Sequence, residues 1–198
     1  MIEADVLVVG AGPAGATAAL NLAPLRRVVV VHRPAASARI GESLAPAARR
    51  LLAAMGLWDD FSAQGHAPCH ANHAVWGGPV AFETDFLRDP DGHGWHLDRA
   101  GFEVWLVSAA VDRGAAFHAV AGIDSVRRES GRWIVQAGSL VVSAGFVIEA
   151  GGRAAPFARR LGIGHRADDR LVCAWIRGAM ARPDAGLTFI ESEVGGWW

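Results

Sequence analysis

Residues 4–23 read ADVLVVGAGPAGATAALNLA, and this stretch decides the fold. Val6-Leu7-Val8-Val9 is a continuous aliphatic run, as expected for a strand buried on both faces of a parallel sheet. Gly10-Ala11-Gly12-Pro13-Ala14-Gly15 follows as G-x-G-x-x-G, and the alanine-rich stretch from Pro13 to Ala23 predicts a helix whose first turn accepts proline. Val28-Val29-Val30-Val31 predicts a second strand and closes a βαβ unit. The roles of the glycines follow from sterics. Gly10 permits a tight turn, Gly12 lets a pyrophosphate approach the backbone, and Gly15 lets helix and strand pack closely. Pro13 and Ala14 open the helix, whose N-terminal amides and dipole favour phosphate. A glycine run alone is a weak signal, and a merely structural turn is the competing reading. Its position between a strand and a helix is the confirming context for a dinucleotide.

The second strand departs from the usual pattern at its end. A carboxylate is expected there for the ribose hydroxyls, but the chain has His32-Arg33. His32 can hydrogen-bond a ribose hydroxyl without a carboxylate's two strong acceptors. Arg33 by itself points to a 2′-phosphate and hence NADP, a reading that the later motifs argue against.

At 198 residues and 52% hydrophobic content the chain is long enough for one sizeable core, or for one domain plus part of another. A net charge of -1 without blocks of like charge gives no pointer to nucleic acid or an anionic membrane. Cys69 and Cys173 lie far apart, so a disulfide framework is not expected. No apolar run reaches membrane-spanning length, and a strand begins too early for a signal peptide, so a cytoplasmic setting is the expectation. All 19 basic residues are arginine, and the chain has neither lysine nor tyrosine.

Further motifs follow in order. Arg39-Ile40-Gly41-Glu42-Ser43-Leu44 precedes a predicted helix with the apolar stripe Leu44, Ala48, Leu51, Leu52 and Met55, with Ser43 as its cap and Gly56 as its stop. Asp98 to Arg113 predicts another helix, striped by Phe102, Trp105, Leu106, Ala109 and Ala110, capped by Asp98 and ended by Gly114. Phe146-Val147-Ile148 predicts a strand leading to Glu149-Ala150-Gly151-Gly152-Arg153. Together with the tail ESEVGGWW, these motifs resemble flavin-dependent monooxygenases, halogenases and prenyl reductases. Those enzymes share the p-hydroxybenzoate-hydroxylase fold, in the flavoprotein superfamily that includes the tryptophan halogenases. The resemblance covers essentially the whole chain.

The resemblance implies an α/β fold: a Rossmann-like FAD-binding βαβ domain (residues 1–65 and 98–165) interleaved with an incomplete β-sheet substrate domain (66–97 and 166–198). Strands are expected at Arg170–Arg177 and Leu187–Ile190 and in the terminal Gly-Trp-Trp. The chain is expected to be the N-terminal portion of a longer protein, because the family's late Gly-Asp turn at the flavin has no counterpart after residue 153. The implied cofactor is FAD, with NAD(P)H as electron donor and a small organic substrate; the substrate's identity and the oligomeric state are not implied. Arg39, Gly41, Glu42 and Ser43 are implied to line the flavin or its pyrophosphate. Arg99 is implied to reach toward the flavin, against the alternative of a solvated first-turn arginine. Glu149 and Gly152 are implied to form a wall of the nucleotide site, although relatives carry Asp-Ala-Thr-Gly-Arg there.

No catalytic dyad is expected, because the flavin carries the electrons. The family's halogenases use an active-site lysine in their N-terminal half, and a chain without lysine is therefore expected to be a monooxygenase or a reductase. A non-catalytic nucleotide-binding fragment is the alternative. His66, Cys69, His70 and His73 invite a metal reading, but H-x-x-C-H-x-x-H matches no ordinary zinc signature. A substrate-side loop is expected there, with one histidine as a candidate proton donor. The tryptophans are expected in cores; Trp76, Trp95, Trp197 and Trp198 are also candidates for an aromatic wall at the substrate.

Overall fold

The computed structural model describes residues 1–34, 42–164, 166, 168, 172, 174, 186–193 and 195–197. The elements in chain order are β1 (Ile2–Val9), α1 (Pro13–Leu22), β2 (Val28–His32), β3 (Glu42–Leu44), α2 (Ala48–Ala54), α3 (Trp58–Ser62), β4 (Ala67–Cys69), β5 (Ala71–Val75), β6 (Ala81–Asp85) and β7 (Gly94–Leu97). They continue with α4 (Arg99–Asp112), β8 (Ala116–Ala119), β9 (Ser125–Glu129), β10 (Arg132–Ala137), β11 (Leu140–Glu149), α5 (Pro156–Arg160), β12 (Leu187–Glu193) and β13 (Gly196–Trp197). The chain forms two compact units, each from two stretches: Met1–Ala38 with Ala100–Val172, and Arg39–Arg99 with Cys173–Trp198.

The first unit holds a six-stranded sheet in the order β8-β2-β1-β11-β10-β9. β1 pairs in parallel with β2 and β11, and β2 in parallel with β8; β9, β10 and β11 form an antiparallel meander. This α/β layout is the one expected. Val6–Val9 of β1 and Val28–Val31 of β2 are apolar without a break because both faces are covered. Leu7, Val9, Val29 and Val31 join one core with Ile123, Val135, Val142, Ala144 and Phe157. Val6, Val8, Val28 and Val30 are equally buried, and α1 buries Ala16, Ala19 and Leu20. The short strand expected at Phe146-Val147-Ile148 is the end of a longer one, β11, because its first half pairs with β10.

The second unit contains two smaller sheets, β13-β12-β5-β6 and β3-β7-β4. Residues 39–65, expected with the FAD part, belong to this unit because Glu42–Leu44 pairs with Leu97–Trp95. Ser43 therefore does not cap a helix. α2 begins at Ala48 with Ala47 at its cap and no side-chain bond there. Pro46 is the physical cause, since it disfavours helical backbone at Ala45 and delays the start. Leu52 is buried, whereas Leu51, expected beside it, is 65% exposed on this short helix. Gly56 does end the helix, with φ +67. The strand expected over 170–177 lies outside the described residues, apart from Val172 and Ala174.

Candidate dinucleotide site

In the first unit the C-terminal ends of β1, β2 and β11 meet at one edge, with Val9 level with both Val31 and Glu149. This is where a parallel α/β sheet places a ligand. Gly10 leaves β1 with φ +110, and a Cβ there would run into the Ala150 carbonyl. A Cβ on Gly15 would strike the Gly10 carbonyl and approach Ala150 Cβ to 3.3 Å. These two glycines are required by the protein's own packing. Gly12 differs: its φ of -70 suits any residue, and a Cβ there meets no heavy atom within 4 Å. The space over Gly12 is open, as a group approaching the backbone requires.

Gly12 is also the cap of α1 and makes no side-chain bond. Pro13 has no N–H, so Ala14 and Gly15 present amides that the helix cannot itself satisfy. No acidic residue lies in that first turn. An anion is thus met by amides and the positive end of the helix dipole, with no carboxylate in that first turn. These residues fit the pyrophosphate of a dinucleotide.

The remaining candidates behave differently. His32 ends β2 with its ring edge-on to Phe117 at 6.3 Å, and Arg33 follows in exposed coil. Gly152 has φ +60 and open space around it. Glu149, expected in a wall of the nucleotide site, directs its carboxylate to the backbone. Oε1 accepts from the Gly151 amide at 2.9 Å, and Oε2 accepts from Phe157 and Ala158 at 2.8 and 3.1 Å. The extra methylene relative to aspartate gives the reach to the start of α5.

In the second unit, Arg99 is paired with Glu42, so each spends charge on the other. Arg99 is therefore not a solvated first-turn arginine, its side chain being only 21% exposed. Ser43 Oγ lies 3.0 Å from Thr188 Oγ1, which is also 3.0 Å from His96 Nε2 and 3.5 Å from Cys69 Sγ. Sequence reading passed over His96 and Thr188, which lie 92 positions apart and are joined by tertiary pairing alone. Arg39 and Gly41 lie outside the described residues. His66 accepts a hydrogen bond from the Asp98 amide, and burial pushes its imidazole below the ordinary value, with the Asp98 charge pulling the other way. His73 pairs with Glu83 at 3.1 Å. Among the described residues no three His, Cys, Asp or Glu side chains gather to hold a metal ion. Trp95 is a core residue, 7% exposed and packed on Trp58, Phe61 and His93. Trp76 and Trp197 are exposed.

The sequence matches the FAD binding domain family over residues 3–188. The chain belongs to this family. It is 30% identical over 207 residues to LodB of Marinomonas mediterranea, a protein named as an FAD-dependent oxidoreductase; the match covers 98% of this chain and 55% of that one. The chain thus spans about half the length of that relative. Among solved structures, a flavoprotein/dehydrogenase of Cytophaga hutchinsonii superposes with a TM-score of 0.75 at 22% identity, over 94% of this chain and 49% of its own. The myxobacterial chondrochloren halogenase CndH superposes at 0.68 with 27% identity, over 78% of this chain and 38% of its own. No helix among the described residues is long and apolar enough to cross a membrane.

Proposed function

We propose that this chain supplies the FAD cradle and part of the substrate sheet of a flavin-dependent oxidoreductase. Its reaction is of the monooxygenase type, with NAD(P)H as electron donor and a small apolar or aromatic organic substrate. One observation carries the cofactor reading: Gly12 is open where Gly10 and Gly15 are filled by their own chain. Sterically, only the middle glycine is reserved for something outside the protein. When bound, FAD supplies the redox chemistry. The chain's part is to hold the pyrophosphate on the Ala14 and Gly15 amides and to seat the ribose near His32.

The halogenase relatives bear on the reaction type, and the lack of lysine speaks against it in this chain. Reduction of a prenyl-type substrate is the alternative within the enzyme reading. Titration of the purified chain with FAD, followed by flavin fluorescence and absorption, tests the cofactor. Saturable uptake is expected, together with loss of at least tenfold in affinity for Gly12→Val. A wild-type chain that takes up no FAD refutes the cradle as sufficient and favours a non-catalytic fragment. Equal affinity in Gly12→Val refutes the role of the open glycine.

A further inference from the structure

We propose that Glu149 is a positioning residue for the cradle: its carboxylate fixes the turn after β11 as the wall against which the glycine motif sits. The proposal rests on the FAD reading above. Glu149 is level with Val9, so the residue after each strand meets the other: the Ala150 amide donates to the Val9 carbonyl at 2.8 Å, and the Ala150 carbonyl occupies the space that a Cβ on Gly10 would take. The position of Ala150 therefore sets the position of Gly10, and with it the approach to Gly12.

What holds Ala150 is the carboxylate beside it. One oxygen takes the Gly151 amide, and the other takes the two amides at the start of α5, so the acid ties both ends of the turn from 150 to 158. Such charge-assisted bonds are stronger than neutral ones. The turn needs tying, since Ala155 adopts a left-handed conformation (φ +37) immediately before Pro156, a backbone that persists only when its surroundings impose it. Gly151 has no room for a side chain: a Cβ would lie 2.7 Å from Glu149 Oε1 and would also strike Pro156. At the far end, Phe157 is buried and its ring packs 5.3 Å from Trp133. The wall is thus pinned by one apolar anchor and one acid.

Three variants test this in the FAD-titrated chain: Glu149→Ala, Glu149→Gln, which keeps length and one acceptor oxygen, and Glu149→Asp, which keeps charge but shortens the reach. Amide hydrogen exchange at Gly151, Phe157 and Ala158 is read beside the FAD affinity and the bound-flavin spectrum. The expected result is at least tenfold faster exchange at those amides and at least tenfold weaker FAD binding in Glu149→Ala. Smaller losses of both are expected in the Gln and Asp variants, with an unaltered flavin spectrum wherever FAD still binds. Faster exchange with unchanged FAD affinity, in any of the three, overturns the proposal. A shifted flavin spectrum with unchanged exchange also overturns it, by making Glu149 a direct contact. If Gly12→Val loses FAD while all three Glu149 variants keep it, this proposal fails and the FAD reading stands. If the wild type takes up no FAD, both fail.

Discussion

Gly10 and Gly12 are two positions apart and answer to different constraints. Gly10 combines positive φ with a carbonyl in its Cβ position, so Gly10→Ala is expected to destabilise the fold by more than about 1 kcal/mol. Gly12→Ala meets open space at an ordinary φ and is expected to stay within about 1 kcal/mol of the wild type. Denaturant unfolding of the two variants checks the pair, and equal losses would contradict the packing described. Ala155 offers a test of opposite sign. Its left-handed backbone costs about 1–2 kcal/mol, so Ala155→Gly is expected to gain roughly 0.5–1 kcal/mol after glycine's own entropy cost, read as a raised melting temperature.

The elements were legible in proportion to how local their causes are. β1, α1 and β2 follow from aliphatic runs and a glycine motif within about thirty residues. The end of α2 followed from Gly56 for the same reason. The start of α2 did not: Ser43 carries a capping signature, but the pairing of Glu42–Leu44 with Trp95–Leu97 claims it for a strand. Arg99 and Glu42 were each expected near the cofactor, yet nothing nearby in the chain signals that they pair with each other across 57 positions. The same elements carry a pH dependence. His66 Nδ1 accepts the Asp98 amide just ahead of α4, and burial lowers its pKa from 6.5. The folded chain favours neutral imidazole, so this contribution is complete above the unfolded value and is lost as pH falls through the lower folded one. Stability measured from about pH 7.5 down to about pH 5 is expected to fall, and to fall less in His66→Asn. Identical slopes would rule out the His66 contribution.

At the scale of the molecule, the chain is close to neutral. With a net charge of -1 and a pI of about 6.7, turbidity at fixed concentration is expected to peak near that pH and to fall on either side. A flat profile would show that charge does not govern association. The pairing of β1 with β11 was not legible locally, because no periodicity reports that Ile2 lies beside Val142. That pairing sets a timetable for biosynthesis. β1 leaves the ribosome before its two partners, and β2 soon covers one of its edges. The other edge waits for β11, about 140 residues later, roughly 7–28 s at ordinary elongation rates. Throughout that interval an aliphatic strand presents an open row of amides and carbonyls, a template for mispairing. β1 is paired on both edges only when β11 arrives, so its vulnerable period is set by the synthesis of residues 140–149.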